Sequence, residues 1–294
     1  MPRFAYFISA YKEPESIIRL VKVLAKDKDQ FYIHYDKKIG RQKFKHWKRL
    51  VEQKCRNARI HVVSKHVCNW GSFGIIDATL SAMTFFEDSK YDYFLNLTAE
   101  CYPIKSLNQI NETFKDQNAG FMTFWKMPYD GWVRGGMDRI NNNYFFLKKK
   151  DYPYVRIIHI PRIRKKLPYD LKPYGGWSLF CLPNYIIVYI LDYIQNNLRL
   201  KSFFKTTRIP SEMIFQTILM NSPLKDRIVN DNKRYLNFVD AHPRTLTKDD
   251  YETLKNSKDL FARKFNPSMS KELLDIIDKE IINSRANSKN PELS

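Results

Sequence analysis

Cysteine is scarce in this chain of 294 residues, and the four cysteines lie far apart, at Cys55, Cys68, Cys101 and Cys181. No two of them form the C-x-x-C pair on which most structural zinc modules depend, so the spacing argues against a zinc site. So few cysteines suit a protein of the reducing cytoplasm, although the sequence alone does not exclude a disulfide.

Long hydrophobic runs are also missing. The most apolar stretch, YIIVYIL at 185–191, is followed directly by Asp192 and is far shorter than the roughly 20 residues that span a bilayer. The first residues, MPRFAYFISAYKEP, reach charged side chains at once, so they indicate a first strand and not a signal peptide. We therefore expect a cytoplasmic protein that is soluble or peripherally bound to a membrane.

Acidic residues are too few to balance the basic ones. The chain has 31 Asp and Glu against 50 Lys and Arg, which gives a formal net charge of +19. Such an excess predicts anionic partners, which are phosphate-bearing ligands, an anionic membrane surface or nucleic acid. Hydrophobic residues make up 44% of the chain, enough for the core of a globular protein.

Strand and helix patterns alternate over residues 1–125. Strands are predicted at 4–10, 31–36, 59–64, 92–99 and 120–125, and helices at 14–25, at 41–54, from near 72, and at 106–116. This alternation predicts an α/β fold with a mostly parallel central sheet flanked by helices. Ligands bind beyond the C-terminal ends of such strands. The polar residues at these ends are Ser9, Lys12, His34, Asp36, Ser64, Thr98 and Glu100.

The pattern breaks over 126–173, where three glycines precede a basic run at Lys148–Lys150. We expect a long excursion with little regular structure, of the kind that is usually functional or mobile. Regular patterns resume at 174 and continue to about 284. The chain is therefore expected to form a single domain over 1–284, followed by a flexible tail at 285–294.

Three acidic groups are candidates for a ligand site. Asp27-Lys28-Asp29 matches the D-x-D pattern by which many sugar transferases hold a divalent metal, but it lies in a turn at the wrong edge of the sheet, where Asp is common. His34-x-Asp36 ends the second strand and suits either a nucleotide or a polar strand terminus. Glu100 is a poor magnesium ligand unless substrate phosphates complete the site, and its alternative role is in a polar loop.

Two further segments combine charge with apolar surroundings. Arg263 and Lys264 lie between two phenylalanines in LFARKF, which suits either a bound diphosphate or the solvated basic edge of a helix. Glu212 stands at the start of a buried helix predicted over 208–222. A carboxylate there either serves the helix dipole, an effect of about 0.3–1 kcal/mol, or takes a proton from a substrate.

The order of sequence blocks resembles one known family. The blocks are IHYDKK, VCNWGSFGIIDATLSAM, DYFLNLTAECYPIKS, YGGWSLFCLP, IPSEMIFQTILMNS and RYLNFVDAHPRTLTKDDYETLKNSKDLFARKF. Together, from about Phe4 to Phe265, they are similar to the Core-2/I-branching β-1,6-N-acetylglucosaminyltransferase family, which also contains the peptide xylosyltransferases. The last two blocks are the most specific. Cys101 departs from the family pattern, which often has Asp there, and Ser211 stands where an acidic residue often precedes the Glu.

The resemblance implies a GT-A-like, Rossmann-type nucleotide-sugar-binding fold and an inverting transfer from a UDP-sugar to an acceptor hydroxyl. N-acetylglucosamine is the leading donor sugar, and xylose, glucose and galactose are alternatives. The resemblance also implies that basic side chains replace a divalent metal, so that no cofactor is required. It assigns a nucleotide-binding half to 1–125, a variable acceptor side to 126–173 and a catalytic, diphosphate-binding half to 174–284.

The resemblance also assigns individual residues. The catalytic base falls on Glu212. The diphosphate contacts fall on Arg234, Arg263 and Lys264, with His34 and Asp36 near the nucleoside. A turn formed by Tyr174, Gly175, Gly176, Trp177 and Ser178 is expected near the transferred sugar and acceptor, and Glu100 would supply the polar contact that the family pattern expects at Cys101. The excursion over 126–173 aligns with no block of the family, and Trp132, Arg134 and Arg139 are candidate acceptor contacts within it.

The residues leave two other readings. A nucleic-acid-binding protein would suit the charge and the aromatic content, but no helix-turn-helix, zinc or RNA-recognition signature is present. A non-catalytic sugar- or membrane-binding subunit would keep the fold without the chemistry. As a transferase, the chain is expected to act in bacterial surface polysaccharide synthesis. Its positive charge would then meet the anionic inner membrane, which carries a lipid-linked acceptor.

Overall fold

The computed structural model describes residues 1–116, 118–148, 155–239 and 242–282. The tail predicted at 285–294 lies outside the described residues. The strands are β1 (Phe4–Ala10), β2 (Gln30–Tyr35), β3 (Arg59–Val63), β4 (Tyr93–Thr98), β5 (Tyr102–Pro103), β6 (Gly120–Lys126), β7 (Asn142–Lys148), β8 (Val155–Arg164), β9 (Tyr174–Pro183), β10 (Ile228–Val229), β11 (Arg234–Leu236), β12 (Phe238–Val239), β13 (His242–Pro243) and β14 (Phe261–Arg263).

The helices are α1 (Glu15–Leu24), α2 (Arg41–Lys54), α3 (Gly74–Phe85), α4 (Leu107–Thr113), α5 (Met137–Asn141), α6 (Asn184–Asn196), α7 (Leu198–Lys205), α8 (Ile214–Met220), α9 (Tyr251–Asn256) and α10 (Lys271–Ile277). The first four helices alternate with the strands in the order that the sequence pattern predicts, whereas α5 and α7 were not predicted. A π-helical turn, Asp278–Ile282, continues α10.

The central sheet has the strand order β10-β6-β9-β4-β1-β2-β3. β1 pairs in parallel with both β2 and β4, β2 with β3, and β6 with β10. Only β9, of these described strands, runs antiparallel to its neighbours β4 and β6. The predicted α/β class, with a mostly parallel central sheet flanked by helices, is confirmed.

The sheet separates two hydrophobic layers, and β1 shows why. Phe4, Tyr6 and Ile8 face one layer, while Ala5 and Phe7 face the other, as the two-residue period of a strand requires. Helices α1, α2, α4, α9 and α10 contribute to the first layer, and α3, α6, α7 and α8 to the second. A strand buried on both faces reads as a continuous apolar run, which is the pattern of FAYFISA.

A second, smaller sheet lies beyond the end of β4, with the order β11-β14-β5. β5 follows β4 after a short turn, and it pairs antiparallel with β14. The segment LFARKF therefore contributes a strand, so its reading as the basic edge of a helix is wrong. This small sheet brings Arg263 next to the loop that carries Glu100.

The excursion over 126–173 is more regular than expected. β7 and β8 form an antiparallel hairpin whose register shifts between Asn142 and Asn143, where Asn142 pairs with Arg164 and Asn143 with Ile160. Pro161, which cannot donate a ladder hydrogen bond, lies within this irregularity. The prediction of little regular structure is therefore wrong. The proline and the basic residues obscured the strand pattern.

Two other predictions of local structure need correction. Tyr174–Ser178 was expected to form a turn but lies within β9, paired with β6. The segment 208–222 was expected to be one helix with Glu212 at its start. Instead a 3-10 turn, Pro210–Glu212, is followed by Met213 with non-helical angles (φ −142°, ψ −37°), and α8 begins at Ile214. Glu212 therefore precedes the α-helix and does not lie in its first turn.

Candidate active site

The candidate site lies at the edge of the central sheet where β4 ends and β9 begins. The side-chain Nδ2 of Asn96 in β4 donates to the backbone carbonyl of Ser178 in β9 at 2.9 Å, which joins the two strands at this edge. Glu100 follows β4 directly, and the turn that carries Glu212 packs against β9. The predicted edge therefore holds both carboxylates.

Glu100 collects positive charge. Its carboxylate accepts hydrogen bonds from Lys12 Nζ (2.9 Å), Tyr11 Oη (3.0 Å) and Arg263 Nη2 (3.4 Å), and Lys264 Nζ lies 3.7 Å away. These five residues are called the Glu100 cluster below. The three cations outnumber the single carboxylate, so the cluster keeps an excess of positive charge.

Burial and charge act in opposite directions on Glu100, whose side chain is 7% exposed. Burial alone would raise its pKa, but the hydrogen bond from Lys12 and the charges of Arg263 and Lys264 outweigh burial and hold the pKa below its ordinary value. Glu100 is therefore ionised at neutral pH. It fixes the cations in place while their side chains stay between 27% and 39% exposed, within reach of a ligand.

The backbone holds this cluster together. Ala262 of β14 pairs with Tyr102 of β5, and the amide of Phe265 donates to the carbonyl of Glu100 at 3.0 Å. Lys264, in turn, accepts a hydrogen bond at its carbonyl from the amide of Leu246. Because backbone hydrogen bonds hold the segment on both sides of Arg263 and Lys264, the fold fixes the position of these two residues.

The structure thus brings Arg263 and Lys264 together as predicted. It also places Glu100 in contact with them, and the sugar or acceptor contact of Glu100 stays a prediction. Sequence reasoning missed Tyr11, and it placed Lys12 at this edge without assigning it to the site. The available signal was the position of Lys12 just after β1, at the strand edge where ligands gather.

Glu212 lies in a tightly constrained turn. Ile209, just before it, has a φ of 52°, a left-handed conformation that is unusual for a β-branched residue. The amide of Ile209 donates to the carbonyl of Gly71 at 2.9 Å, and the amide of Glu212 donates to the carbonyl of Ile209. Strained backbone held by neighbouring contacts is frequent at functional sites, because the surrounding structure must impose it.

Within the described part of the chain, the carboxylate of Glu212 has one ionic partner, Arg139. Arg139 Nη1 donates to Glu212 Oε2 at 2.8 Å. Burial raises the pKa of Glu212, and the charge and hydrogen bond of Arg139 oppose this without cancelling it. The pKa therefore stays above the ordinary value, which strengthens the carboxylate as a base.

Aromatic rings line the site next to Glu212. The ring of Trp125 stacks on Tyr129 at 4.3 Å and meets Trp132 and Trp177 edge-on at 5.2 and 5.6 Å. Trp177 in turn stacks on Phe238 at 5.0 Å. Two of the predicted residues, Trp132 and Trp177, thus belong to one aromatic group. Such flat apolar faces suit the binding of a sugar ring.

The two glycines of β9 permit this packing. A Cβ at Gly176 would lie 1.9 Å from the carbonyl oxygen of Thr123, and a Cβ at Gly175 would lie 2.8 Å from Trp132. Side chains cannot occupy these positions without moving β6 or the indole. The glycines therefore allow close approach of backbone and rings, and no turn is involved.

Arg234 is the first residue of β11 in the small sheet, and its side chain is buried. Its guanidinium donates to the carbonyls of Asn232 (2.9 Å) and Asn96 (3.3 Å) and lies 4.5 Å from the ring centre of Phe261. None of its contacts among the described residues is with the Glu100 cluster. A diphosphate contact by Arg234 stays a prediction, and it would require these hydrogen bonds to be exchanged.

His34 and Asp36 hold the loops at the ends of β2 and β3. His34 Nε2 accepts hydrogen bonds from the amides of Lys65 (3.2 Å) and His66 (3.0 Å), and burial, with the nearby His66, lowers its pKa to about 4. Asp36 accepts from the amide of Lys38 at 2.9 Å. Both side chains are buried, so their proximity to a nucleoside stays a prediction.

Two of the remaining candidates lie outside these contacts. Arg134, predicted on the acceptor side, is exposed on a turn with a φ of 53°. In the D-x-D motif, Asp29 accepts a hydrogen bond from the amide of Phe4 at 2.9 Å, which confirms the interpretation of this motif as a structural turn. Across the residues that the structure describes, no three His, Cys, Asp or Glu side chains are grouped to hold a metal ion.

No helix in the described ranges combines the length and apolarity that crossing a bilayer demands.

Comparison with known proteins gives matches along most of the chain. A family model described as Core-2/I-Branching enzyme matches residues 4–258. The chain is 24% identical to xylosyltransferase 2 of Rattus norvegicus over 310 residues, which cover 96% of this chain and 34% of that protein. It is 25% identical to xylosyltransferase 1 of Homo sapiens over 288 residues, which cover 88% of this chain and 28% of that protein. The chain thus spans about a third of the length of these curated relatives.

Among solved structures, the chain is similar to a mannosyltransferase from Pyrobaculum calidifontis. The TM-score is 0.32 and the sequence identity 11%, and the match covers 44% of this chain and 37% of that chain.

Proposed function

The chain belongs to the Core-2/I-branching enzyme family of glycosyltransferases, and on that premise we propose that it transfers a sugar from a UDP-sugar to a hydroxyl group of a glycan acceptor. The transfer inverts the anomeric configuration, and the residues before the excursion form a GT-A-type donor domain. The observation that carries this proposal is that one sheet edge holds both a single carboxylate of raised pKa, Glu212, and a separate cluster with an excess of positive charge.

Glu212 acts as the general base. An inverting transfer is a single displacement, in which the acceptor oxygen attacks the anomeric carbon as the bond to the diphosphate breaks. The acceptor proton moves to the carboxylate, and the electron pair of the broken bond leaves with UDP. General base catalysis contributes about 10²–10⁴-fold to such a rate. One carboxylate is sufficient, in contrast to the close carboxylate pair of a retaining hydrolase.

The Glu100 cluster stabilises the leaving diphosphate. Negative charge develops on UDP as the glycosidic bond breaks, and cations that are already in place stabilise that charge without further reorganisation. Arg263 and Lys264 are the principal contacts, and Lys12 joins them because it shares the same carboxylate. Glu100 is thus a positioning residue for the cations, and the solvent-exposed parts of these cationic side chains contact the diphosphate.

We further propose that no divalent metal is required, because the basic side chains take its place. Activity should then persist in excess EDTA. Loss of transfer on chelation, restored by manganese, would contradict this and would turn attention to Glu100 as a metal ligand.

The donor sugar is proposed to be N-acetylglucosamine, on the basis of the family resemblance. Xylose gains support from the names of the similar proteins, and glucose and galactose complete the alternatives. A panel of these UDP-sugars, tested for slow hydrolysis and for a thermal shift, separates them. The donor should be the sugar nucleotide that is hydrolysed fastest and that raises the melting temperature of the protein most.

The proposed setting is bacterial surface polysaccharide synthesis at the cytoplasmic face of the inner membrane. The net charge of +19 supports contact with anionic lipid that carries the acceptor. Liposome flotation tests this contact. Equal binding to neutral and anionic vesicles would argue against it.

Glu212→Gln is the central test of the proposed function. Transfer should be abolished, while UDP binding should stay within a few-fold of wild type because Glu212 lies apart from the Glu100 cluster. Normal turnover by this variant would refute the proposal. Thermal stabilisation by UDP also separates the transferase from a nucleic-acid-binding protein, which would show salt-steep binding to random DNA and no effect of UDP.

A further inference from the structure

We propose that Arg139 is a positioning residue for Glu212, which it holds by one carboxylate oxygen so that the other oxygen meets the acceptor hydroxyl. The inference rests on the proposed role of Glu212 as general base. It gives Arg139 a task distinct from the acceptor contact that the sequence predicts.

The contact itself is well defined. Arg139 Nη1 lies 2.8 Å from Glu212 Oε2, and the two side chains are only 17% and 23% exposed. An ion pair so shielded from water is stronger and less mobile than a surface pair. Among the described residues no donor reaches Oε1 of Glu212, so this oxygen stays available for a proton.

Arg139 is itself held from behind. The centre of its guanidinium lies 3.8 Å from the ring centre of Trp132, a cation–π contact. Trp132 occupies a slot between two glycines. A Cβ at Gly136 would lie 2.4 Å from the indole, and a Cβ at Gly175 would lie 2.8 Å from it. The two glycines thus fix the position of the Trp132 ring, and the ring in turn orients the guanidinium of Arg139.

The turn of Glu212 is fixed separately, since Ile209 is hydrogen-bonded to Gly71 and the amide of Glu212 to Ile209. The two partners of the ion pair come from segments that are about 70 residues apart along the chain and are rigid for different reasons. Two rigid supports that meet at one hydrogen bond are suited to holding a reactive group within the narrow geometry that catalysis requires.

Arg139 also influences the protonation of Glu212. Besides α5, which carries Arg139, the elements packed most closely against the turn of Glu212 are β9, α8 and α3. α8 has no titratable side chain, and neither Tyr174 and Cys181 of β9 nor Asp77 of α3 alters the pKa of Glu212. Burial raises this pKa, and Arg139 is the charge among the described residues that lowers it. Removal of the Arg139 charge should therefore leave Glu212 protonated over a wider pH range.

The experiment compares Arg139→Gln and Arg139→Lys, with hydrolysis of UDP-N-acetylglucosamine as the probe and UDP-xylose as a second probe. The acid limb of kcat/KM should move up by about one pH unit in Arg139→Gln, because loss of a neighbouring opposite charge raises a carboxyl pKa by about 1–3 units. At pH values on the acid limb this is about a tenfold loss. Arg139→Lys should keep the limb in place and lower kcat, because lysine retains the charge but not the planar geometry.

Arg199→Gln is the matched control, since Arg199 is an exposed arginine of α7 outside the site. It should leave both the limb and kcat unchanged. An acid limb in Arg139→Gln that matches wild type, with Glu212→Gln inactive, overturns this inference and leaves the proposed function standing. Full activity of Glu212→Gln overturns the proposed function itself.

A purely structural role for Arg139 would lower activity at every pH and leave the limb in place, which also overturns the inference. If Arg139→Gln does not fold, Trp132→Leu serves as the second variant. It removes the ring beneath the guanidinium and keeps the charge, so kcat should fall while the limb shifts by less than in a variant without the charge. An unchanged kcat in a folded Trp132→Leu protein refutes the proposed support.

Discussion

Lys12→Met tests the role of Lys12 in the Glu100 cluster. Lys12 is assigned to the diphosphate by its charge and position alone, since it lies in no family motif. Lys12 lies just after β1 and donates to Glu100 at 2.9 Å. Methionine keeps the length and the apolar stem of the side chain and removes only the charge and the donors. The substitution therefore asks whether this charge assists the departure of UDP.

The magnitude follows from the exposure of the side chain. A hydrogen bond to a charged group contributes about 1.5–3 kcal/mol. Lys12 is 39% exposed, so screening by water reduces this to about 1–2 kcal/mol. Since about 1.4 kcal/mol is a tenfold change, kcat/KM for the donor should fall about 5- to 30-fold. Part of the loss should appear in kcat, because the negative charge on UDP grows in the transition state.

The assay is steady-state hydrolysis or transfer with the UDP-sugar that the donor panel selects. Lys48→Met is the matched control, because Lys48 is also 39% exposed and also paired with a glutamate, Glu52, but lies on α2 away from the site. It should behave as wild type. Lys264→Met should lose at least as much activity as Lys12→Met. If Lys12→Met stays within twofold of wild type while Lys264→Met is impaired, Lys12 does not contact the diphosphate.

Two further predictions concern stability. Gly176→Ala should destabilise the protein by about 3 kcal/mol in urea unfolding, because the new Cβ meets the Thr123 carbonyl at 1.9 Å; an unchanged midpoint would show that β6 can move aside. Asp29→Asn should stabilise the protein by about 1–2 kcal/mol at pH 7.5, which a raised melting temperature would show. The reason is that burial raises the folded-state pKa of Asp29 to about 6, so that its ionisation above that pH costs stability. The gain should vanish below about pH 4, where Asp29 is protonated in both folded and unfolded states, and Asp27→Asn, an exposed neighbour, should show no gain at either pH.

The strands and helices before the excursion were predictable because their apolar patterns are strong. FAYFISA is buried on both faces of the sheet, and the first four helices carry apolar stripes toward it. The polar residues at the strand ends followed from the parallel topology alone. Lys12 and Glu100 both stand there, and their contact in the structure is the consequence.

The hairpin at 142–164 was not predictable by the same means. Pro161 and a high density of basic residues hide its two-residue period, and the register shift shows that the strand itself is irregular. The conformation of the segment before α8 was also missed. The left-handed conformation of Ile209 occurs together with a hydrogen bond to Gly71, a residue that is remote in sequence and invisible to local propensity.

The predicted acceptor side shows the same division. Trp132 and Arg139 were chosen from a segment that aligned with nothing, and the structure gives them a mutual contact and a carboxylate partner. Arg134, chosen with them, stays exposed on its turn. No spacing rule distinguishes these two arginines, because the difference arises from the backbone turn at Gly135 and Gly136.

The α/β class, the sheet edge at which the candidate site lies and the family to which the chain belongs could all be predicted from the sequence. These depend on periodicity and on the order of motifs, which local chemistry imposes. The tertiary structure alone decided which charges meet: Lys12 with Glu100, and Arg139 with Glu212. Such pairs join residues from distant parts of the chain, and their protonation depends on burial, which exists only after the layers have packed.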